Sequence, residues 1–220
     1  MKLNRLSILI IIVLVTLIPA SSASAHHPMW GDEDTTVIDN LTTSFAFYRN
    51  LPADKVHVYT FIGKQGQNLH AGINIPAVKG LEDYSVTMAL FGTTLPEADH
   101  DQLPPEHPED LGALIFPSEV SANFFESFTQ TLYWGRQSIE MTLPADGEYY
   151  LIIWQPEGLA GKYVMDSGYA EVFGFGDLFL FPIWWVRVHI FFGHGSYLFA
   201  GAAIILGLAF LTIFKRRKTA

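Results

Sequence analysis

LHAGINI, residues 69–75, places an apolar side chain at every second position. Because successive side chains of an extended chain point to opposite sides, this spacing predicts a β-strand with one buried face. The buried face would consist of Leu69, Ala71, Ile73 and Ile75, and the opposite face of His70, Gly72 and Asn74. The strand decides the fold class, since neighbouring segments repeat its period.

The same period of two recurs at 56–62 (VHVYTFI), 84–91 (YSVTMALF) and 138–143 (SIEMTL). Turn residues such as proline, glycine and aspartate separate these runs. In the first run, one face carries Val56, Val58, Thr60 and Ile62. Residues 148–154 (EYYLIIW) are apolar on both faces, which predicts a central strand. About eight strands of this kind predict a mainly β fold, in which residues 26–172 form a single antiparallel β-sandwich.

Five short segments carry a family resemblance: VYTF at 58–61, GQNL at 66–69, DYSVTMAL at 83–90, LPADGEYYL at 143–151 and GKYV at 161–164. In this order they resemble the jelly-roll sandwich of bacterial pre-peptidase C-terminal domains, over residues 40–170. The resemblance implies a non-catalytic binding or stability module. The chain departs from that family because it carries no peptidase and has a predicted anchor. As a whole it is also similar to membrane-anchored exported proteins, which implies a topology and no activity.

Both ends of the chain carry targeting patterns. Residues 1–25 combine a basic start, an apolar run and a final Ala-Ser-Ala, which predicts a signal peptide cut after Ala25. Residues 196–214 are uncharged and long enough to span a bilayer as a helix. The predicted cytoplasmic tail, 215–220, begins with the basic anchor residues Lys215, Arg216, Arg217 and Lys218. We therefore expect a single-pass protein of the cell membrane, with its ectodomain outside the cytoplasm and its C-terminus inside.

The part of the chain between the two targeting segments is strongly acidic. All 22 acidic residues but only seven of the 13 basic residues lie between positions 26 and 194, which gives a net charge of about −15. Such a surface repels nucleic acid and favours cations or basic partners, although simple solubility explains it equally well. The chain has no cysteine, so its stability depends on a packed core.

An aromatic segment, residues 173–195, precedes the predicted anchor. Its positions 178–192 predict a helix that lies on the outer leaflet, with Asp177 as the N-cap. Aromatic rings suit the headgroup region, and the predicted membrane-interface residues are Trp184, Trp185, Phe191 and Phe192. A final strand of the sandwich and one arm of a membrane hairpin are the alternatives.

The predicted mature N-terminus is the sharpest candidate for a metal site. With His26 as the first residue, its α-amine and its ring would offer two nitrogen ligands to Cu(II), and His27 follows directly. His57 or His70 from the sheet would complete a T-shaped set. This set is similar to the histidine brace of exported copper proteins, although only the terminal residue matches. The alternative is a chain that begins with histidine without binding metal.

A second candidate metal site is the loop 96–110, PEADHDQLPPEHPED. It combines six carboxylates with His100 and His107, which are ligand types for Ca²⁺ and Zn²⁺ respectively. No glycine turns the loop as in a calcium-binding loop, and four prolines stiffen it. A solvated acidic loop is therefore the favoured interpretation, ahead of calcium or zinc at 97–110.

No sequence motif names a reaction. The chain lacks a Gly-x-Ser-x-Gly elbow, a His-Glu-x-x-His motif and a cysteine nucleophile. Residues 124–128 and 133–136 predict an aromatic strand pair whose rings fill the core, with stacking on a sugar or a partner as the alternative. We expect a non-catalytic binding or assembly module at the outer face of the membrane, with a membrane or exported protein as partner. Copper handling and a secreted-type hydrolase are the alternative functions.

Overall fold

β-Strands make up most of the molecule. The computed structural model describes residues 26–119, 122–201 and 207. Within these ranges the strands are β1 (His27–Trp30), β2 (Thr35–Val37), β3 (Phe45–Leu51), β4 (Val56–Gly63), β5 (Asn68–Pro76), β6 (Thr87–Gly92), β7 (Gly112–Phe116), β8 (Asn123–Glu126), β9 (Thr131–Thr142), β10 (Gly147–Trp154) and β11 (Gly161–Ser167). A helix, α1, spans Asp177–Phe191, and a short 3-10 turn spans His100–Gln102.

The strands form two sheets that pack face to face. The six-stranded sheet has the order β1-β3-β11-β5-β9-β8, and the five-stranded sheet has the order β2-β4-β10-β6-β7. Strand β10 lies at the centre of its sheet, as its apolar residues on both faces predicted. Strands β3 to β6 and β9 to β11 change sheet at each step, which is the wrapped connectivity of jelly-roll sandwiches. The prediction of a mainly β sandwich is confirmed.

The prediction of purely antiparallel pairing is wrong at one edge of each sheet. β1 pairs with β3 in parallel, and β2 pairs with β4 in parallel. The reason is that β1 and β2 form an arch between the sheets that lies alongside the arch formed by β3 and β4. Both arches run in the same direction, so each of the two edge pairs is parallel.

The main core lies between the two sheets. All four apolar residues of the predicted buried face of β5 are at most 2% exposed, which confirms that face. In β4 the opposite face enters the core, where Tyr59 and Phe61 are buried. The face that carries Val58 and Ile62 turns outward, and Ile62 is 71% exposed. The larger aromatic rings therefore fill the space between the sheets.

A further layer covers the outer face of each sheet. Ala98 and Leu103 of the acidic loop pack around Phe91 on the five-stranded sheet, so the loop is solvated on its outer side only. On the six-stranded sheet, Val188 and Phe191 of α1 pack against the outward-facing residues of β3 and β11. The molecule is thus a sandwich with one loop-covered side and one helix-covered side.

The prediction of a helix at 178–192, ahead of a final strand, is confirmed, and the helix packs on the six-stranded sheet. Trp184, Phe191 and Phe192 are at most 8% exposed. They pack on the protein because the sheet presents apolar rings there: the centroids of Tyr48 and Phe191 are 5.3 Å apart. Three of the four predicted membrane-interface residues are therefore buried against the protein, and Trp185 keeps partial exposure; their contact with a membrane stays a prediction.

The N-terminus of α1 lacks the predicted aspartate cap. Gly176 occupies the N-cap position and makes no side-chain capping bond. Asp177 is the first helical residue, and its carboxylate accepts a hydrogen bond from the backbone N–H of Gly174 at 2.6 Å. The carboxylate therefore fixes the turn before the helix rather than the helix end itself.

The C-terminus of α1 ends in a Schellman motif. The N–H of Gly193 donates to the carbonyl of Ile190 at 2.9 Å, and the N–H of His194 donates to the carbonyl of His189 at 2.8 Å. Gly193 has φ +79°, a conformation that glycine adopts without steric cost. The chain turns here and is helical again at 195–201.

Much of the predicted targeting apparatus lies outside the described residues: the signal peptide 1–25, the tail 215–220 and most of the membrane helix 196–214. In the part of the chain that the structure describes, no helix has both the length and the hydropathy needed to cross a bilayer.

Candidate functional site

A cavity of about 270 Å³ lies between α1, the β8–β9 hairpin and the outer face of the six-stranded sheet. Its aromatic lining is Tyr48, Phe124, Phe128, Tyr133, Phe173, Phe181 and Trp184. Its polar lining is His26, Asn74, Glu126, Thr129 and Asp166, and the remaining lining residues are Pro28, Ala46, Val164 and Val188. Concave sites with apolar walls and a few convergent polar groups are the usual form of small-ligand sites.

Aromatic rings form a continuous wall from the hairpin to the helix. The ring centroids of Phe128 and Phe181 are 5.4 Å apart, which joins the β8–β9 turn to α1. Phe181 also lies 5.6 Å from Phe173 and 5.5 Å from Trp184. Such spacings are those of favourable edge and tilted aromatic pairs. The wall is therefore held in place by ring contacts between segments that are distant in sequence.

Two tyrosines lie buried on the sheet side of the cavity. The hydroxyl oxygens of Tyr48 and Tyr133 are 3.3 Å apart. Burial raises the pKa of Tyr133 to about 12 and raises the pKa of Tyr48 well above its ordinary value. Both phenols therefore stay neutral at physiological pH and can each donate or accept a hydrogen bond.

The polar end of the cavity is an ordered hydrogen-bond network. Asp166 accepts a hydrogen bond from Asn74 Nδ2 at 2.7 Å, and its other oxygen lies 2.8 Å from His70 Nε2. The second ring nitrogen of His70 lies 2.5 Å from Glu140 Oε1. The ring of Tyr169 stacks on His70 at 4.4 Å, and its hydroxyl donates to Glu140. A histidine with a carboxylate at each nitrogen is best matched as an imidazolium.

The pKa of His70 follows from this surrounding. Burial lowers the pKa, but the hydrogen bonds and charges of Asp166 and Glu140 raise it, and the net pKa is raised above the ordinary value of 6.5. Gly72 makes the arrangement possible, because a Cβ at that position would lie 2.6 Å from Asp166 Oδ1. The network therefore depends on glycine at position 72 as well as on the charged side chains.

Glu126 fixes the hairpin that closes the cavity. Its carboxylate accepts backbone hydrogen bonds from Phe128 at 2.8 Å and Thr129 at 2.5 Å, and also the hydroxyl of Thr129. These bonds hold the β8–β9 turn and so set the position of Phe128. Among the described lining residues there are two carboxylates and no lysine or arginine. The cavity therefore favours neutral or cationic ligand groups over anions.

The structure does not bring the predicted copper ligands together. His26 lies at the cavity, with Nδ1 2.5 Å from Ser44 Oγ, and the ring of His27 lies 4.9 Å from that of Trp184. His57 is 1% exposed in the other sheet, and its Nδ1 lies 2.8 Å from the Tyr163 hydroxyl. Burial lowers the pKa of His57, so this ring is neutral.

No group of three or more histidine and acidic side chains that could hold a metal ion occurs within 26–119 and 122–201. In the loop 97–110, Asp99 accepts a hydrogen bond from the N–H of Asp101 at 3.2 Å, and His107 Nδ1 lies 2.7 Å from the carbonyl of Pro104. The side chains of Asp99 and His107 thus form hydrogen bonds with the backbone of the same loop. Copper binding at His26 and His27, and calcium or zinc binding at the loop, remain predictions.

The aromatic strand pair is confirmed, but its rings do not all fill the core. β8 pairs with β9 at the edge of the six-stranded sheet, where Phe124 is 43% and Phe125 57% exposed. Tyr133 is buried, yet on the outer face of the sheet. The reason is that β8 is an edge strand without a facing sheet, so its rings border the cavity or solvent.

Sequence reasoning missed Tyr48, Phe173 and Phe181 as lining residues. The sequence of β3 and β11 did indicate that the outer face of their sheet is covered, since both strands carry apolar side chains at outward positions as well as at inward ones. A sheet that is apolar on both faces requires a covering element. The aromatic segment after residue 172 was the available candidate for that cover.

No protein-family profile and no curated protein matches this chain. Several solved structures have a similar fold. A periplasmic inhibitor of g-type lysozyme from Aeromonas hydrophila has 14% identity and a TM-score of 0.37, over 66% of this chain and 98% of that one. The pre-peptidase C-terminal domain of a Bacillus anthracis collagenase has 17% identity and a TM-score of 0.32, over 61% and 94%. A surface-associated copper-binding protein of Methylomicrobium album has 11% identity and a TM-score of 0.33, over 64% and 100%. At these identities and scores the similarity carries no functional conclusion for this chain.

Proposed function

We propose that this chain is an exported, membrane-anchored binding module that holds a small ligand group in the cavity between α1 and the six-stranded sheet. The observation that carries the proposal is the convergence of seven aromatic side chains and a fixed polar network on one partly open cavity. The ligand group belongs to a free small molecule or to a side chain of an exported protein partner.

The size and charge of the cavity define the ligand class. A volume of about 270 Å³ lies just below the usual range of small-molecule sites, which begins at about 300 Å³, and so suits one ring rather than a drug-sized molecule. The Asp166–His70–Glu140 set carries a net charge of −1 when His70 is protonated, and Glu126 adds a second negative charge. Aromatic faces also attract organic cations. The cavity therefore fits a compact aromatic group that bears an amine.

The polar groups of the cavity are suited to binding more than to catalysis. Both oxygens of Asp166 and both oxygens of Glu126 already accept hydrogen bonds from the protein. These two carboxylates fix the shape of the site and make its electrostatic potential negative. Because their oxygens are already engaged, neither is placed to act as a base that activates a nucleophile. The proposed role is therefore non-catalytic.

The location of the module is proposed from the chain ends. The signal-peptide pattern at 1–25 would direct export, and the uncharged run 196–214 with its basic tail would retain the protein in the membrane. The ectodomain would then face the outside of the cytoplasm.

Three probes with the same ring test the ligand class. Indole, tryptamine and indole-3-acetate are neutral, cationic and anionic, and each would be titrated by calorimetry into the full chain in lipid nanodiscs. We expect tryptamine to bind most tightly and indole-3-acetate most weakly, because the lining favours cations. Equal binding of the cation and the anion, or the reverse order, would contradict the proposed ligand class.

A matched pair of substitutions locates the binding site. Phe128→Ala removes a ring from the cavity wall, and we expect tryptamine affinity to fall by about fivefold to tenfold. Phe125→Ala removes an exposed ring from the same hairpin that does not line the cavity, and we expect no change. Binding that is equally insensitive to both variants would place the ligand elsewhere on the molecule.

A further inference from the structure

Helix α1 is apolar on two opposite faces, and within 26–119 and 122–201 only one of them is covered. The inner face, with Trp184, Val188 and Phe191, packs on the six-stranded sheet and the cavity wall. We use the term outer face for the residues at the opposite helical spacing i, i+4, i+7 and i+11: Phe179, Ile183, Val186 and Ile190. These four side chains are 67%, 55%, 40% and 50% exposed respectively.

Such a helix needs a covering surface on both sides. Helices of soluble proteins that are packed on one side normally carry polar residues on the other. After Asp177, α1 has one charged side chain, Arg187, whose guanidinium lies 4.6 Å above the ring of Trp30. The outer face therefore forms an uncharged apolar strip on a domain that is otherwise strongly acidic. Contiguous apolar strips of this kind mark interaction surfaces.

The course of the chain after α1 identifies what covers the outer face. Residues 192–195 separate the helix from the uncharged run 196–214, and four residues span at most about 14 Å. The Schellman motif at Gly193 makes the actual connection a tight turn. Exposed aromatic side chains continue beyond it, since Tyr197 is 77% and Phe199 73% exposed. A helix of about 22 Å is thus tethered next to the start of the proposed anchor.

We propose that the outer face of α1 docks into the outer leaflet of the bilayer, at the boundary between headgroups and acyl chains. The inference rests on the proposed membrane anchor. It differs from the sequence-based prediction in the residues that meet the lipid: Phe179, Ile183, Val186 and Ile190 replace Trp184, Phe191 and Phe192. Amphipathic helices bind this boundary with an apolar face buried to a shallow depth.

Single cysteine labels test the docking, because the chain has no cysteine of its own. Ile183→Cys and Val186→Cys place an NBD fluorophore on the outer face. Ile62→Cys is the matched control, an exposed isoleucine on the five-stranded sheet. Each labelled full-length protein is reconstituted into phosphatidylcholine–phosphatidylglycerol vesicles with and without lipids that carry a doxyl quencher near the headgroup. We expect quenching by at least half and a blue-shifted emission at 183 and 186, and no change at 62.

The outcomes separate this inference from the proposed anchor. Protein that floats with the vesicles while labels at 183 and 186 remain unquenched would overturn the docking and leave the anchor standing. A disulfide-linked dimer of the unlabelled Ile183→Cys protein, together with unquenched labels, would replace the lipid by a second copy of the chain. Protein that fails to float with vesicles would overturn both the anchor and the docking.

Discussion

At the scale of single residues, His70 has a partner at each ring nitrogen. Its two ring nitrogens face Asp166 and Glu140, at 2.8 Å and 2.5 Å, while Tyr169 stacks on the ring. Burial lowers the pKa of His70, and the two carboxylates outweigh that effect so that the pKa is raised. The network ties β5, β9 and β11 together at the polar end of the cavity.

A raised pKa makes the stability of the folded protein depend on pH in a defined direction. The contribution of His70 is fully present below its ordinary pKa of about 6.5 and is lost as the pH rises through the higher folded-state value. We therefore expect His70→Gln to destabilise the protein at about pH 5.5 more than at about pH 8.5. Urea unfolding of both proteins at the two pH values measures this difference.

His57 provides the contrasting control, because burial lowers its pKa. Folding favours the neutral ring of His57, so the folded protein loses stability as the pH falls below the ordinary pKa of about 6.5. When the pH falls from about 8.5 to about 5.5, the His57→Gln variant should therefore lose less stability than the unchanged protein. The His70→Gln variant should lose more. If the His70→Gln variant lost equal stability at both pH values, the ion-paired state of His70 would be refuted.

At the scale of the elements, the attachment of α1 to the sheet decides whether the cavity exists. Lys162 of β11 donates a hydrogen bond from Nζ to the carbonyl of Phe191 at 2.8 Å, and the ammonium group lies 5.0 Å from the centre of the Phe191 ring. A cation at the C-terminus of a helix is stabilised by the exposed carbonyls there. This contact joins the end of the helix to the sheet electrostatically.

Lys162→Met keeps an unbranched side chain that is one atom shorter and removes this charge. We expect a loss of about 1–2 kcal/mol in the free energy of unfolding, and faster amide exchange in the second half of α1. Lys64→Met, at an exposed turn between β4 and β5, is the control and should change neither. Unchanged exchange in α1 of the Lys162 variant would show that ring packing alone holds the helix.

The strands were predictable from local sequence, and the role of α1 was not. In β5 the alternation of Leu69, Ala71 and Ile73 with His70 and Gly72 gave both the strand and its buried face, because strand geometry is local. Helix α1 was predictable as a helix for the same reason. Composition cannot tell which side of an apolar helix meets protein, so the burial of Trp184 against the sheet was not predictable. That side depends on outward residues of β3, more than a hundred positions earlier.

The candidate site was predictable only in fragments. The aromatic segments 124–128 and 133–136 contribute Phe124, Phe128 and Tyr133 to the cavity. Tyr48 lies in β3 and Phe181 in α1, and nothing in either segment alone indicates that they border the same volume. The site is made by long-range packing, and a single sequence offers no pattern for contacts of that kind.

At the scale of the whole molecule, the sandwich separates the histidines that a copper brace would need. His57 is in the five-stranded sheet with its ring inside the core, and His70 has both nitrogens engaged by carboxylates. Only His26 and His27 remain as candidate ligands from the predicted set. The topology therefore argues against a T-shaped site that draws on the sheet.

This arrangement predicts the result of a Cu(II) titration on protein that begins at His26. We expect His57→Gln and His70→Gln to leave Cu(II) affinity unchanged, and His26→Ala to lower it. Titration calorimetry on the three variants measures these effects. A large loss of affinity in the His57 or His70 variant would show that the chain assembles a brace that the structure does not contain.

Helix α1 borders the cavity on one side and carries the exposed apolar strip on the other, so the proposed ligand binding and the proposed lipid contact would be linked equilibria. A ligand group that restrains the inner face of α1 would also restrain the strip on the opposite side of the same helix. Thermodynamic reciprocity requires that any factor by which lipid contact strengthens ligand binding be matched by an equal strengthening of lipid contact by the ligand. The protein would then work as a sensor of coincidence, responding fully only when the ligand and the membrane surface are present together.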